Sequence, residues 1–172
     1  MIFVWPEGGG YERQDAAANF VVPGHGVCPK GMERIYLDRG NFRVLFPEDP
    51  QQQTLSERNL HQFSAAAGSE SYGLAYADYP LGTDWENVVN AERDSILNGL
   101  GGSVVDEKRT SVEGYPGKFI RFVGQNTSGE LTIYFAGQRL YVLHAFAPKS
   151  VSRPENFSTF LNSFRLLSKA KP

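Results

Sequence analysis

The sequence predicts one α+β domain, in which an antiparallel sheet of about six to seven strands carries two main α-helices. Its 172 residues are a length typical of one domain. Short segments that alternate apolar and polar residues recur between turn-forming residues, which is the pattern of strands. Two further segments carry the three-to-four-residue apolar spacing of amphipathic helices.

The first 32 residues differ from the rest of the chain. Glycine and proline interrupt every periodic pattern there, at 8–10, 23–26 and 29–31. We therefore expect residues 1–32 to be an irregular N-terminal extension, residues 33–168 to form the single domain, and residues 169–172 to be a tail.

Three strands are predicted before the first helix. Residues 42–46 alternate cleanly and indicate a half-buried strand, and residues 59–66 are a weaker candidate. Residues 72–79 place two tyrosines and a leucine on one face and small residues on the other. The small face favours close packing of another element, usually a helix.

The first helix follows. Thr83 and Glu86 have the spacing of a capping box, in which each side chain bonds a backbone amide of the first turn. Gly101 and Gly102 predict its end. Its apolar stripe comprises Trp85, Val88, Val89, Ile96, Leu97 and Leu100.

Four strands and a second helix complete the prediction. The strands are expected at 104–112, 118–123, 131–135 and 140–146. A turn at 114–117 and a loop at 124–129 join them, and such short connections require antiparallel neighbours. Ser152 and Glu155 predict a capping box for the last helix, with Pro154 in its first turn. The apolar seam of that helix is Phe157, Phe160, Leu161 and Phe164.

Charge and hydropathy exclude some partners. The chain has 17 basic and 19 acidic residues, a net charge of −2, so it lacks the basic excess that phosphate backbones require, and we expect no nucleic-acid partner. No apolar stretch approaches the roughly 20 residues of a membrane span. The apolar start is too short for a signal peptide. We expect a cytoplasmic protein, or an exported one whose targeting segment is missing from this sequence.

Neither a metal site nor a nucleophile is indicated. His25, His61 and His144 lie far apart, and His25 with Cys28 supplies only two of the four ligands of a structural zinc site. Cys28 lies in a glycine-rich segment without the surroundings that activate a thiol. The glycines at 99–102 follow a helix, whereas a phosphate-binding loop precedes one. We expect no catalytic residue, metal or cofactor.

Three side chains remain as candidate binding residues. Tyr79 precedes Pro80 and Tyr115 precedes Pro116, so both tyrosines lie near turns, where they can serve interfaces or simply cover sheet edges. His144 shares a strand face with apolar neighbours, where a core histidine is the commoner role. We retain Tyr79, Tyr115 and His144 as surface candidates.

The order of elements and several short motifs resemble a known architecture. These motifs are Phe-Pro at 46–47, Tyr-Ala-Asp-Tyr-Pro at 76–80, Gly-Tyr-Pro-Gly at 114–117, Arg-Leu-Tyr at 139–141 and the C-terminal phenylalanines. Over residues 33–167 the chain resembles the PsbP-like fold, which the extrinsic photosystem II subunit PsbP shares with a small Ran-binding protein. It is similar above all to uncharacterised bacterial members. The resemblance implies an α/β/α sandwich, and no metal-binding or docking residue of PsbP has a recognisable counterpart here.

This resemblance implies a non-enzymatic binding or accessory module that docks onto a larger protein assembly, with a role in photosynthesis as one reading. An alternative is a small-ligand-binding protein, or an enzyme, that uses a cleft between sheet and helix. A third interpretation treats the N-terminal extension as a linker to another domain or anchor. The residues themselves do not choose among these.

Overall fold

A computed structural model describes residues 33–37, 40–55 and 59–167. The predicted N-terminal extension and tail lie outside these residues, as do His25 and Cys28. Ten strands and two helices are described. In chain order they are β1 (Glu33–Leu37), β2 (Phe42–Phe46), β3 (Gln51–Leu55), β4 (Leu60–Ala67), β5 (Glu70–Asp78), α1 (Trp85–Gly99), β6 (Ser103–Val112), β7 (Tyr115–Val123), β8 (Thr127–Ala136), β9 (Arg139–Pro148), α2 (Glu155–Ser163) and β10 (Arg165–Leu166).

The main sheet has seven strands in the order β3-β4-β5-β9-β8-β7-β6, and every neighbouring pair is antiparallel. After β5 the chain passes through α1 to the far edge of the sheet and forms β6. The strands β6 to β9 then return as a meander until β9 pairs with β5. This architecture confirms the predicted α+β sandwich.

Helix α1 covers one face of the main sheet and begins differently from the prediction. Asp84 is the N-cap, and its carboxylate accepts hydrogen bonds from the amides of Glu86 and Asn87. Thr83 instead donates its hydroxyl to the carbonyl of Pro80 at 2.7 Å. The predicted capping box is therefore wrong, because the helix starts one residue later than that motif requires.

The end of α1 agrees with the prediction. Gly101 adopts a φ of +56°, a left-handed conformation that glycine reaches without a steric penalty. The amide of Gly102 donates to the carbonyl of Leu97 at 2.8 Å, and the amide of Gly101 donates to Asn98 at 3.2 Å. This pair of bonds is a Schellman motif, which satisfies the last carbonyls of the helix.

The opposite face of the main sheet is covered by α2 and by a second sheet of three strands, β1-β2-β10. Aromatic side chains fill this layer. Phe46 lies 5.0 Å from Phe160, and Tyr72 packs edge-on against both Phe157 and Phe160. The predicted apolar seam of α2 is buried, as expected. Its predicted capping box is absent: Pro154 is the N-cap, and no side chain among the described residues caps the first turn.

Two connections and three strands differ from the prediction. The turn expected at 114–117 is displaced, since β7 already begins at Tyr115, and β8 begins at Thr127 within the expected loop. The strands β1, β3 and β10 were not predicted. All five residues of β3 are exposed, so the segment lacks the apolar alternation that identifies strands. Among the described residues, no helix is long and apolar enough to cross a membrane.

Candidate functional site

Tyr79 follows β5 and is half-buried beneath the start of α1. Its ring lies 5.9 Å from that of Phe135 in an edge-on contact. Its amide donates to the carbonyl of Gln138 at 2.6 Å. Burial, and secondarily the charge of Glu92, raises the pKa of the Tyr79 phenol. Tyr79 therefore closes one end of the α1 layer and presents only part of its ring to solvent.

Tyr115 is the first residue of β7, directly after the turn from β6, and 43% of it is exposed. It pairs with Val112 across the hairpin. It is therefore a surface residue at the tip of the hairpin, on a strand three positions away from β5 in the sheet order.

His144 lies inside the molecule, on the α1 face of the central strand β9, and is only 6% exposed. Its ring stacks on Phe146 at 5.3 Å and lies directly over Gly73 of β5, where an added Cβ would be 2.1 Å from the imidazole. Burial lowers the pKa of His144 to about 3, so the imidazole is neutral at physiological pH. His144 is thus a core residue, and its prediction as a surface residue is wrong.

A small cavity lies beside His144, between α1 and the sheet. Its volume is about 10 Å³, which is close to the space that one water molecule requires. Apolar side chains form the rest of its wall. They are Ala75, Ile96, Leu100, Leu131, Val142 and Phe146.

Glu92 is a buried carboxyl group on α1 that the sequence analysis did not single out. It is 2% exposed, and its Oε1 has no hydrogen-bond partner among the described residues. Burial raises the pKa of Glu92 to about 7. The signal was present, since Glu92 lies three residues after Val89 and four before Ile96, on the buried side of the helix.

Glu130 of β8 is equally buried, at 2% exposure, but lies on the α2 face and is bonded to arginines. Arg153, just before α2, donates from Nε to Oε1 at 2.7 Å and from Nη2 to Oε2 at 2.9 Å. Arg121 of β7 contacts Oε1 through its Nε at 3.4 Å. The side chains of both arginines remain 47% exposed. The glutamate therefore holds two guanidinium groups at the surface.

The two arginines border a part of the sheet that α2 does not cover. We call it the outer face and define it as Lys108 of β6, with Phe119, Arg121 and Val123 of β7, and Arg153. Lys108 lies over the half-buried ring of Phe119, with Nζ 5.0 Å from the ring centroid. Val123 is 36% exposed. This face combines an aromatic ring, an apolar side chain and three cations.

On the α1 face the charged groups of β6 and β7 bond one another. Glu107 accepts from Lys118 at 2.8 Å and from Arg93 of α1 at 2.7 Å, and Lys118 also donates to Asn90 at 2.7 Å. Burial alone would raise the pKa of Glu107, but these hydrogen bonds lower it below its ordinary value. This network joins α1 to the sheet and is structural.

A further polar cluster lies where β5 meets β9. Arg139 donates to both carboxylate oxygens of Asp78, at 2.5 and 2.8 Å, and its guanidinium lies 4.9 Å from the centroid of Tyr76. The ring of His61 stacks on Tyr76 at 4.6 Å. The hydrogen bonds from Arg139 are the main cause that lowers the pKa of Asp78. Asp78 and Arg139 therefore form a bidentate ion pair with each other.

The three candidate binding residues do not come together. Tyr79 and His144 both face α1, at different depths, while Tyr115 lies at the tip of the β6–β7 hairpin. Within the part of the chain that the structure describes, no group of three or more His, Cys, Asp or Glu side chains could hold a metal ion.

Comparison with known proteins identifies the fold. No protein-family model matches the sequence, and no curated protein matches it. Among solved structures, cyanobacterial PsbP from Synechocystis is similar, with a TM-score of 0.60 and 10% sequence identity, over 84% of this chain and 97% of that one.

Two weaker structural matches were also found. A Pseudomonas aeruginosa protein of unknown function has a TM-score of 0.41 at 10% identity, over 72% of this chain and 98% of its own. A Bacteroides thetaiotaomicron protein has a TM-score of 0.46 at 11% identity, over 82% of this chain and 50% of its own. The chain has a PsbP-like fold, as the resemblance had implied.

Proposed function

We propose that this chain is a non-enzymatic accessory module that docks onto a larger protein assembly through its outer face. One observation carries the proposal. Helix α2 packs against β2, β8 and β9, and leaves the same side of β6 and β7 accessible. Arg121 and Lys108 are exposed there, and Phe119 is half-buried.

The composition of the outer face supports docking. Arginine and aromatic residues are enriched at the centres of protein interfaces, where they supply much of the binding energy. Phe119 contacts the core beneath it and Arg121 is bonded to Glu130. Less side-chain freedom is therefore lost when a partner binds.

The likeness in fold to cyanobacterial PsbP makes a photosynthetic assembly the first place to look for the partner. The analogy concerns fold, and one fold hosts many functions. The proposal of a docking module therefore rests on the outer face, and the photosynthetic setting is an extension of it.

The test is affinity capture with the full chain as bait, from an extract of the organism that encodes it. Wild type is compared with Phe119→Asp and with Arg109→Gln. Arg109 is an exposed arginine on the neighbouring strand that points to the α1 face and pairs with Glu86. We expect one stoichiometric partner with wild type and Arg109→Gln, and its loss with Phe119→Asp. Equal recovery by all three proteins, or recovery by none, would contradict the proposal.

A second candidate function is small-ligand chemistry between α1 and the sheet. The observation that favours it is the buried Glu92, with its raised pKa, on the same helix that lines the cavity beside His144. Strongly shifted pKa values are concentrated at functional sites. With a volume of about 10 Å³, the cavity would have to open before a metabolite could enter.

This alternative predicts a different result. A metabolite fraction should raise the unfolding temperature of the wild type but not that of Ile96→Phe, in which the larger ring fills the cavity. If no fraction has this effect, ligand chemistry at this position is contradicted, whatever the outcome of the capture experiment.

A further inference from the structure

We infer that the outer face recognises an acidic segment of a protein partner, with a carboxylate of that segment bound between Arg121 and Arg153. This inference rests on the proposed docking function and specifies what the partner presents. It follows from the geometry of the two guanidinium groups, the charges around them and the apolar surface next to them.

Glu130 positions the arginines. Its two oxygens accept three hydrogen bonds, two from Arg153 and one from Arg121. Arg153 also donates from Nη2 to the hydroxyl of Ser158 in α2. A carboxylate that is almost fully buried thus fixes where both guanidinium groups lie on the surface.

Several donors of these arginines remain unused. Among the described residues, neither Nη atom of Arg121 has a partner, and Arg153 leaves Nη1 without one. A guanidinium presents its N–H groups in a planar fork that matches the two oxygens of a carboxylate. Glu130 therefore occupies the buried side of the two guanidinium groups, and a second carboxylate can bind on their exposed side.

The charge balance favours an anion. Three positive charges come from Lys108, Arg121 and Arg153. Two negative charges come from Glu130 and from Asp106, whose backbone lies opposite that of Arg121 in the strand register. Three minus two leaves one net positive charge, on a protein whose net charge is −2. This patch is too small for a nucleic-acid backbone, which requires many cations along a groove, and suits one or two acidic side chains.

Apolar surface adjoins the cations. Phe119 and Val123 lie on the same side of β7 as Arg121, one on each side of it along the strand. A segment in which an apolar residue flanks an acidic one could place its carboxylate on Arg121 and its apolar side chain on Phe119. We therefore assign an alternating acidic and apolar segment as the partner's recognition element.

The experiment titrates the isotope-labelled full chain with an eight-residue peptide that contains three glutamates and two leucines. Amide and arginine Nε resonances are followed by NMR at low and moderate salt. We expect shifts confined to β6, β7 and the start of α2, and weaker binding as salt increases. Arg121→Gln should weaken binding about five- to tenfold, since one charged hydrogen-bonding partner is lost. Arg109→Gln should leave it unchanged.

The outcomes are separable. A peptide with glutamines in place of the glutamates should not bind. Equal binding of both peptides, equal affinity of Arg121→Gln and wild type, or tighter binding of a ten-nucleotide single-stranded DNA would each overturn the inference. The capture experiment with Phe119→Asp tests docking separately. A partner that is lost with Phe119→Asp but retained with Arg121→Gln would leave the docking function standing and refute its acidic recognition element.

Discussion

The two faces of the main sheet each bury one glutamate, and they accommodate it in opposite ways. On the α2 face, Glu130 is bonded to Arg153 and Arg121. On the α1 face, Glu92 is buried with no hydrogen-bond partner for its Oε1 among the described residues, and burial raises its pKa to about 7. Guanidinium groups compensate the buried charge of the first glutamate, whereas burial raises the pKa of the second. The first arrangement leaves cations at the surface; the second makes the stability of the α1 layer depend on pH.

Among the substitutions that test this difference between the two faces, Arg153→Gln should have the largest effect on stability. This substitution removes both hydrogen bonds that Arg153 donates to Glu130. The buried carboxylate then keeps only the 3.4 Å contact from Arg121. Because Arg153 is half-exposed and Arg121 remains, we expect a loss of about 3 kcal/mol in unfolding free energy, measured by urea denaturation. The control is Arg109→Gln, which breaks an exposed pair and should cost less than about 0.5 kcal/mol. Similar losses in both variants would contradict the structural role of Glu130.

The second prediction concerns Glu92→Gln, which mimics the protonated side chain. In the wild type, the unfolded chain releases this proton near its ordinary pKa of 4.5, whereas the folded protein retains it up to about pH 7. Between these values, rising pH therefore destabilises the fold, and above pH 7 the whole penalty is present. The variant lacks this penalty. It should match the wild type near pH 4.5 and exceed it by about 3 kcal/mol at most at pH 8.

Urea denaturation at pH 5 and pH 8, followed by tryptophan fluorescence, measures the difference. Glu86→Gln serves as the control, because it makes the same substitution on the same helix at a half-exposed position. A stability gain for Glu92→Gln that is the same at both pH values would contradict the assignment.

The third prediction tests the close approach of β5 to β9 on the α1 face. In Gly73→Ala the new methyl group would lie 2.1 Å from the imidazole of His144. Because that ring is buried and cannot move freely, we expect a loss of about 2 kcal/mol in unfolding free energy. Gly99→Ala is the matched control: it lies at the end of α1 with nothing within 4 Å, and should stabilise the protein by about 0.5 to 1 kcal/mol.

The smallest expected effect contrasts the starts of the two helices. Asp84→Ala removes the side-chain cap of α1 and should cost about 1 kcal/mol. Ser152→Ala should cost almost nothing, because no side chain caps α2. Thermal unfolding of both variants measures the difference. A comparable loss for Ser152→Ala would contradict this difference and would support the capping box that the sequence predicted.

Most elements could be predicted because their signals are local. Alternation identified β2, β5 and β8, and apolar spacing identified both helices. Two features, one strand and one helix cap, could not be predicted from local patterns. Strand β3 is polar apart from Leu55 and, among the described strands, pairs with β4 alone, so no hydrophobic pattern marks it. Adjacent residues such as Thr83 and Asp84 are both good caps, and the choice between them depends on how the chain enters the helix.

The candidate site was harder to predict, because it depends on contacts between distant residues. Tyr79 and Tyr115 were chosen for their turns, and His144 for its chemistry, but the structure distributes them over three separate places. Glu130 and Arg153 are 23 residues apart, and no short motif joins them. Glu130 directly precedes the strand predicted at 131–135, and only the position of the chain before α2 brings Arg153 to it.

By itself, the sequence determined the class of the fold, the two amphipathic helices and the faces of most strands, because periodicity and turn chemistry act over a few residues. Only the tertiary structure decided that α1 carries β6 to the far edge of the sheet, and that a second small sheet joins α2 on the opposite face. These arrangements in turn buried Glu92 and brought two arginines to Glu130. The physical reason is that the cost of burying a charge depends on its neighbours in space, and antiparallel pairing brings together residues that local patterns cannot connect.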